Sequence, residues 1–244
     1  MFTMFTDILP VIRKELKSYF NSPIAYIVVV SFLLFSSLWL FFLQQFFAAN
    51  TATLRVMFAI FPMIFIIIMP ALTMRSWAEE KKLGTMELLM TLPYREDTLV
   101  LGKFLAAGAL LVIMVALTLP IPLLLSRFGS FDWGEICGQY LGALLVGGSG
   151  IAVGLFVSSL AANQISAFIL SLFILLIMTL ISQVNRIFPV APWAAAVFNY
   201  LSLDTHYDAF QRGLIDSRDL AYYLIVIGTF LYLNVQSLIF RKWS

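Results

Sequence analysis

Apolar residues run along the chain in stretches of about twenty, each long enough to cross a hydrocarbon layer of about 30 Å as a helix. Six such stretches are predicted as membrane spans: Ile24–Leu43, Val56–Trp77, Leu99–Leu125, Ile136–Leu160, Ile165–Val184 and Leu220–Ile239. The breaks between them carry turn residues or charge, as in Ala48-Ala-Asn-Thr51, Arg127-Phe-Gly-Ser130 and Ala161-Ala-Asn-Gln164. Ahead of the first span, Phe5, Ile8, Leu9, Ile12, Leu16 and Tyr19 or Phe20 recur at helical spacing, with Arg13, Lys14, Glu15 and Lys17 among them. This predicts an amphipathic helix over residues 1–22 in the membrane interface, an ordinary charged lead-in being the other reading. The same charges argue against a cleaved secretory signal. Residues 185–219 form the longest segment between spans. They are too apolar for a free loop and predict short helices dipping into the interface, with Trp193, Tyr200 and Tyr207 at headgroup depth.

Composition agrees with this pattern. Of 244 residues, 61% are hydrophobic and only 11% charged, and mean hydropathy is +0.96. Globular chains lie near 45–50% apolar and about 25% charged. One all-α integral membrane domain, 1–244, accounts for the whole length and leaves no room for a soluble catalytic domain. A net charge of +2 is too small to argue for nucleic acid as a partner. The single Cys137 supplies neither an intramolecular disulfide nor a metal cluster. Lys and Arg concentrate in the N-terminal segment, in Arg75–Lys103 and at Arg241-Lys242, so these segments and both termini are expected to be cytoplasmic and the 185–219 segment to face outward.

The second, fifth and sixth spans are essentially uncharged, which argues against an ion-coupled carrier. Pro62, Pro70, Pro120 and Pro122 read as packing or hinge positions rather than an ion site. In span four, Gly138, Gly142, Gly147, Gly150 and Gly154 place small residues about one turn apart, which lets helices approach closely in lipid. They do not form a nucleotide loop, because no Gly-x-x-x-x-Gly-Lys-Ser/Thr string occurs in the chain. The chain is therefore not expected to hydrolyse ATP. In the outer segment, Asp204, His206 and Asp208 alternate, but no further ligand completes a metal site, and they read as solvated polar groups. Arg212 and Asp216 are spaced for a one-turn ion pair that would order this segment.

Between spans two and three stands a charged island, Arg75-Ser-Trp-Ala-Glu-Glu-Lys-Lys-Leu-Gly-Thr-Met-Glu-Leu-Leu-Met-Thr-Leu-Pro93. Gly84 is expected to end a helix carrying Glu79, Glu80, Lys81 and Lys82. Thr85 would cap a second helix with Glu87 in its positive first turn, and Pro93 would close it. That helix would present Met86, Leu88, Leu89 and Met90. Two readings stay open on the residues alone: a docking element for a soluble partner, or a locally packed loop with solvated charges.

The string Arg75…Glu79-Glu-Lys-Lys82-x-Gly84-Thr85-x-Glu87-x-Leu89…Pro93 resembles the signature of type-2 ABC transporter permeases, the membrane subunits of exporters whose ATPase is a separate chain. The element order resembles that family too: an interfacial N-terminal helix, six spans, a Ser158-Ser-Leu-Ala-Ala-Asn-Gln164 turn, and a long segment before the last span. Within the family, His206-Tyr-Asp-Ala-Phe-Gln-Arg-Gly-Leu-Ile-Asp216 and Asp219-Leu-Ala-Tyr-Tyr223 are similar to the gliding-motility permease subgroup.

The resemblance implies a multi-pass protein of the bacterial cytoplasmic (inner) membrane. It would pair with a second permease, as a homo- or heterodimer, and with an ABC ATPase subunit that carries ATP and Mg. An extracytoplasmic accessory protein and membrane lipid are further candidate partners, and no cofactor or catalytic residue is expected in this chain. The coupling helix would lie within 78–93. By resemblance its coupling residues would be Glu79, Gly84, Thr85 and Glu87; Glu80 and Pro93 complete the expected ATPase-facing set, and Leu88 and Leu89 join it as apolar anchors on their own chemistry. A competing function for the same fold is a non-transporting scaffold that transmits force. The uncharged spans suit an apolar or amphipathic cargo, and equally a chain that moves nothing.

Overall fold

The computed structural model describes residues 2–49, 53–87, 95–188 and 190–242, and the regular structure among them is all helical. A first helix, α1 (Phe2–Phe20), precedes span one, which comprises α2 (Pro23–Leu38) and a π-helical turn at Trp39–Leu43. Span two is built on α3 (Phe61–Thr73) and is followed by α4 (Ala78–Lys82). Span three is α5 (Glu96–Ala116) and α6 (Pro120–Leu125); span four is α7 (Trp133–Leu160); span five begins with α8 (Gln164–Leu180). Helices α9 (Pro192–Leu201) and α10 (Leu203–Gln211) lead to span six, α11 (Ser217–Lys242).

Among the described residues, six helical stretches are long and apolar enough to cross a membrane, at Pro23–Leu43, Phe61–Lys82, Glu96–Leu125, Trp133–Leu160, Gln164–Ile187 and Ser217–Phe240. Each overlaps one predicted span. The second is displaced most, because the predicted start at Val56 falls in a separate turn of helix, Arg55–Ala59, that ends at Ile60 before Pro62 opens α3. A proline near a helix start gives up an N–H that has no partner there anyway.

Polar side chains mark the helix starts. The Ser22 hydroxyl accepts from the Ile24 N–H at 3.3 Å, Asp132 accepts from Gly134 at 2.8 Å, and Asn163 accepts from Ser166 at 2.9 Å. Each satisfies one of the orphan donors of a first turn. Span three is interrupted at Leu117–Leu119, ahead of Pro120. There the buried Thr118 hydroxyl contacts the Val115 carbonyl at 2.7 Å and the Tyr140 hydroxyl at 2.9 Å, so the break carries its own polar partners.

Spans two and four form the centre: 72% and 78% of their most apolar windows are buried, against 22% for spans one, five and six. The outer three leave Ile27, Phe35, Ile165, Phe173, Leu224 and Ile225 exposed, as a lipid-facing surface requires. Span four packs against spans two, three, five and six and against α10. Its small residues set how closely. An added Cβ at Gly147 would meet Leu111 of span three at 2.7 Å, at Gly150 Met69 of span two at 2.8 Å, and at Gly154 would overlap the Thr73 hydroxyl. Toward α10 the same helix uses Gly142, where a Cβ would lie 2.5 Å from Phe210 Cβ, and Gly138, 3.0 Å from the Gly213 Cα. An aromatic group of Phe32, Phe61 and Phe65, with centroids 5.0 to 5.9 Å apart, joins spans one and two.

Helix α1 lies along span three, and Val11 fills the notch left by Gly102, where an added Cβ would lie 2.6 Å from Val11 Cγ1. Its inward stripe runs through Val11, Glu15 and Tyr19, while Leu9 and Phe20 are exposed. The periodicity placed Leu9 and either Tyr19 or Phe20 on one apolar face; of these Tyr19 packs inward. The packed face is rotated from that because it carries Glu15 toward a buried cation.

Candidate functional site

The island between spans two and three is held by backbone geometry first. Helix α4 closes with Leu83 N–H donating to Glu79 O at 2.9 Å and Gly84 N–H to Lys81 O at 3.1 Å. Gly84 then adopts φ +69°, a left-handed conformation that glycine enters without the side-chain penalty of other residues. Residues 85–87 turn helical again, and the Thr85 hydroxyl donates to the Glu80 carbonyl at 3.3 Å. Gly84→Ala is expected to cost about 1–2 kcal/mol through this φ alone, since nothing lies within 4 Å of the added Cβ. A lowered thermal midpoint without loss of expression is the check.

Of the two readings left open for the apolar side chains of the island, Met86 follows the locally packed one: it is 4% exposed and packs with Val11, Trp77, Leu99, Val100 and Leu238. The reason is that the turn at Gly84 folds the segment back over the junction of α1 with spans three and six. Glu87 is exposed. Leu88, Leu89, Met90 and Pro93 lie outside the described residues.

The root of α4 is joined to span four. Trp77 and Ala78 N–H groups donate to the Ser158 hydroxyl oxygen at 3.1 and 3.2 Å, and that hydroxyl donates to the Met74 carbonyl at 3.2 Å. Lys81 donates to the carbonyls of Ser159 and Ala161, the latter at 3.1 Å. These are carbonyls at the end of α7, where a cation meets both orphan acceptors and the negative end of the helix dipole.

The most buried charge in the molecule's described residues is Lys103, 2% exposed and four residues inside the predicted third span. Its ammonium donates to Glu15 Oε1 at 2.9 Å, Glu80 Oε1 at 2.9 Å and the Ser76 carbonyl at 2.8 Å, which uses all three protons. It also stands 4.7 Å over the Trp77 ring. Lys14 approaches Glu80 from outside at 3.7 Å. One side chain thus joins α1, α4 with the turn before it, and span three. Around it, Arg75 donates to Ser22 at 2.9 Å and pairs with Glu79 at 3.6 Å, and the Tyr19 and Ser76 hydroxyls meet at 3.4 Å. Burial pushes the Tyr19 hydroxyl well above its usual range, with Glu15 adding to the effect and the Ser76 contact opposing it.

Sequence reasoning singled out Glu79, Glu80, Gly84, Thr85 and Glu87, but passed over Lys103, Glu15 and Ser158. Lys103 was counted only as a positive residue that orients the chain. A lysine inside an apolar run is itself a signal, because an unpaired ammonium there is costly.

At the opposite end of the bundle, Trp193 is 75% exposed at the start of α9. His206 is enclosed: Nδ1 lies 2.6 Å from Asp219 Oδ1, Nε2 lies 3.1 Å from the Tyr200 carbonyl, and the ring stacks on Tyr222 at 3.8 Å. It ties α9, α10 and span six, rather than being the solvated group its sequence setting suggested. Among the described residues no group of three or more His, Cys, Asp or Glu side chains could hold a metal ion. Asp204 is held above the usual carboxylate range by burial and then by Asp208, against the Gln183 hydrogen bond and Arg186. Tyr207 is fully buried and donates to the Phe58 carbonyl at 3.0 Å. The expected Arg212–Asp216 pair is not formed. Gly213 takes φ +73° and turns the chain out of α10, so Arg212 donates to the Asp208 carbonyl at 3.3 Å while Asp216 accepts from the Arg218 N–H at 2.9 Å.

Six crossing helices with a charged, internally braced segment at one membrane face define a multi-pass membrane protein. The family described as ABC-2 family transporter protein matches residues 9–191, three quarters of the chain, and the chain belongs to that family. A comparison with curated proteins finds no match. Members of the family are membrane permease subunits of ABC transporters, which work with an ABC ATPase.

Proposed function

We propose that this chain pairs in the membrane with a second permease and seats residues 78–93 as a coupling helix in a cleft of the ATPase, so that ATP-driven closure there moves the spans. The observation that carries this reading is the bracing of that segment: Lys103, Lys81 and Ser158 connect it to α1 and to spans three and four. A force applied at α4 therefore reaches the centre of the bundle through short polar contacts rather than through a free loop. In this reading both termini and the island are cytoplasmic, α9 and α10 face outward, α1 lies in the interface, and the membrane is the bacterial inner membrane. The chain supplies no catalytic group; ATP and Mg belong to the partner. The span-four glycines serve close helix packing. The resemblance of the outer string around His206 to the gliding-motility-like permeases supports membership of that subgroup, with an extracytoplasmic accessory protein meeting Trp193 and its neighbours.

Glu87→Lys reverses an exposed charge outside the braced core. The expected result is loss of ATPase co-purification with an unchanged thermal midpoint; retained association would remove Glu87 from the interface. ATP-dependent movement of substrate in vesicles containing both subunits separates an exporter from a force-transmitting scaffold.

A further inference from the structure

Two cavities lie along the seam between spans one and two. The first, about 430 Å³, opens beneath α1 and is lined by Lys14, Ser18, Ser22, Arg75, Glu79 and Thr85, with Ile24, Ala25 and Leu72 at its inner end. The second, about 560 Å³, continues along the seam and is lined by Ile27, Ser31, Phe35, Ile64, Ile68 and Ala71 on its near half. On these helices Ile24 and Ala25 lead directly to Ile27 and Val28, and Leu72 to Ala71, so the polar chamber and the apolar groove are neighbours on the same pair of helices. Ile27, Phe35 and Ile67 are exposed by 58 to 62%, so the groove is open sideways, toward lipid. From Ile24 to Phe35 the helix rises about 16 Å, close to the depth of one leaflet's hydrocarbon, about 15 Å.

The chamber is also electrically balanced in a specific way. Lys103 and Lys14 face Glu15 and Glu80, and Arg75 faces Glu79, so three cations balance three carboxylates, with Lys14, Arg75 and Glu79 the most exposed of the six. A ligand with a phosphate and an ammonium matches that set; a purely anionic or purely cationic head leaves one sign facing its like. A second copy of the chain would have to place a charged and hydroxyl-bearing surface at one end of an apolar helix to fill both cavities. A bilayer lipid carries that sequence of chemistries in one molecule.

We infer that this seam holds one zwitterionic aminophospholipid, its phosphate in the Arg75 and Lys14 end of the chamber, its ammonium toward Glu79, and one acyl chain along Ile27–Phe35. The lipid is a resident ligand at the root of α1 and α4, so its headgroup lies beside the Lys103 junction that braces the coupling segment.

The test uses the full chain in vesicles of equal parts phosphatidylethanolamine and phosphatidylglycerol, with a trace of either lipid carrying an acyl-chain diazirine. After irradiation, adducts are mapped by mass spectrometry. The expected result is labelling of the peptides lining the seam that is about tenfold stronger from the phosphatidylethanolamine probe. It should fall by about the same factor in the double variant Arg75→Gln, Lys14→Gln. The pair Ser31→Leu and Ala71→Leu, which fills the groove and leaves the chamber intact, should abolish it with the thermal midpoint retained. Equal labelling from the two headgroups would mean annular lipid only and would overturn the assignment. So would absent labelling combined with a disulfide between two copies carrying Ile67→Cys in a Cys137→Ser background, which would make the seam a contact between permeases. ATPase co-purification is read on the same samples, so a failure of the coupling reading is seen separately.

Discussion

Lys103→Met is expected to destabilise the protein by about 3–5 kcal/mol, because it leaves Glu15 and Glu80 facing each other in a buried site with no cation between them. Heating the detergent-solubilised protein and following the monodisperse fraction by size exclusion reads the effect. The triple variant Lys103→Met, Glu15→Gln, Glu80→Gln should recover much of the loss, since it removes the uncompensated charges together. It should nevertheless fail to couple. With the three-way junction gone, α4 no longer holds α1 and span three, so the ATPase should still bind but no longer be stimulated. A triple variant as unstable as the single one would show that the charges are not the reason for the loss.

The second large effect is expected at Gly154. Thr73 occupies the space a Cβ would need, and Thr73 is itself fully buried and bonded to the Met69 carbonyl at 2.8 Å. Gly154→Leu should therefore push spans two and four apart, the two most enclosed helices, at a cost of about 3 kcal/mol or more. Adding Thr73→Ala should return part of that. Gly108→Ala is the control: nothing lies within 4 Å of its added Cβ, so it should not destabilise, whereas Gly154→Ala already should. If Gly108→Ala proves as harmful as Gly154→Ala, close approach at span four is not what the glycine provides.

The six spans were legible because hydrocarbon thickness imposes a length on every crossing helix, and that length shows in one dimension. The helix starts carry a local signal that the apolar runs alone do not use: Ser22, Asp132 and Asn163 act on amides two or three residues away. The junction at Lys103 was not legible. Its partners Glu15 and Glu80 stand 88 and 23 residues away, and no periodicity links them. For Met86 the sequence left docking and local packing open, because what decides between them is its neighbours in space, Val11, Leu99 and Leu238. His206 looked solvated, its enclosure coming from Tyr200, Asp219 and Tyr222 on adjoining helices. Arg212 and Asp216 had the spacing of a helical pair but not the helix, which Gly213 ends. The resemblance in the island supplied what periodicity lacks, a reason to expect a partner at that face.

The account rests on residues 78–93 being the seat of the ATPase. The most direct test places a photoreactive maleimide on Glu87→Cys in a Cys137→Ser background and irradiates the assembled complex with and without ATP and Mg. Adducts to a subunit bearing a nucleotide-binding loop, with a yield that changes when ATP is trapped, are the predicted result. A complex that co-purifies intact yet gives adducts only to lipid or to a second permease, in every nucleotide state, would contradict it.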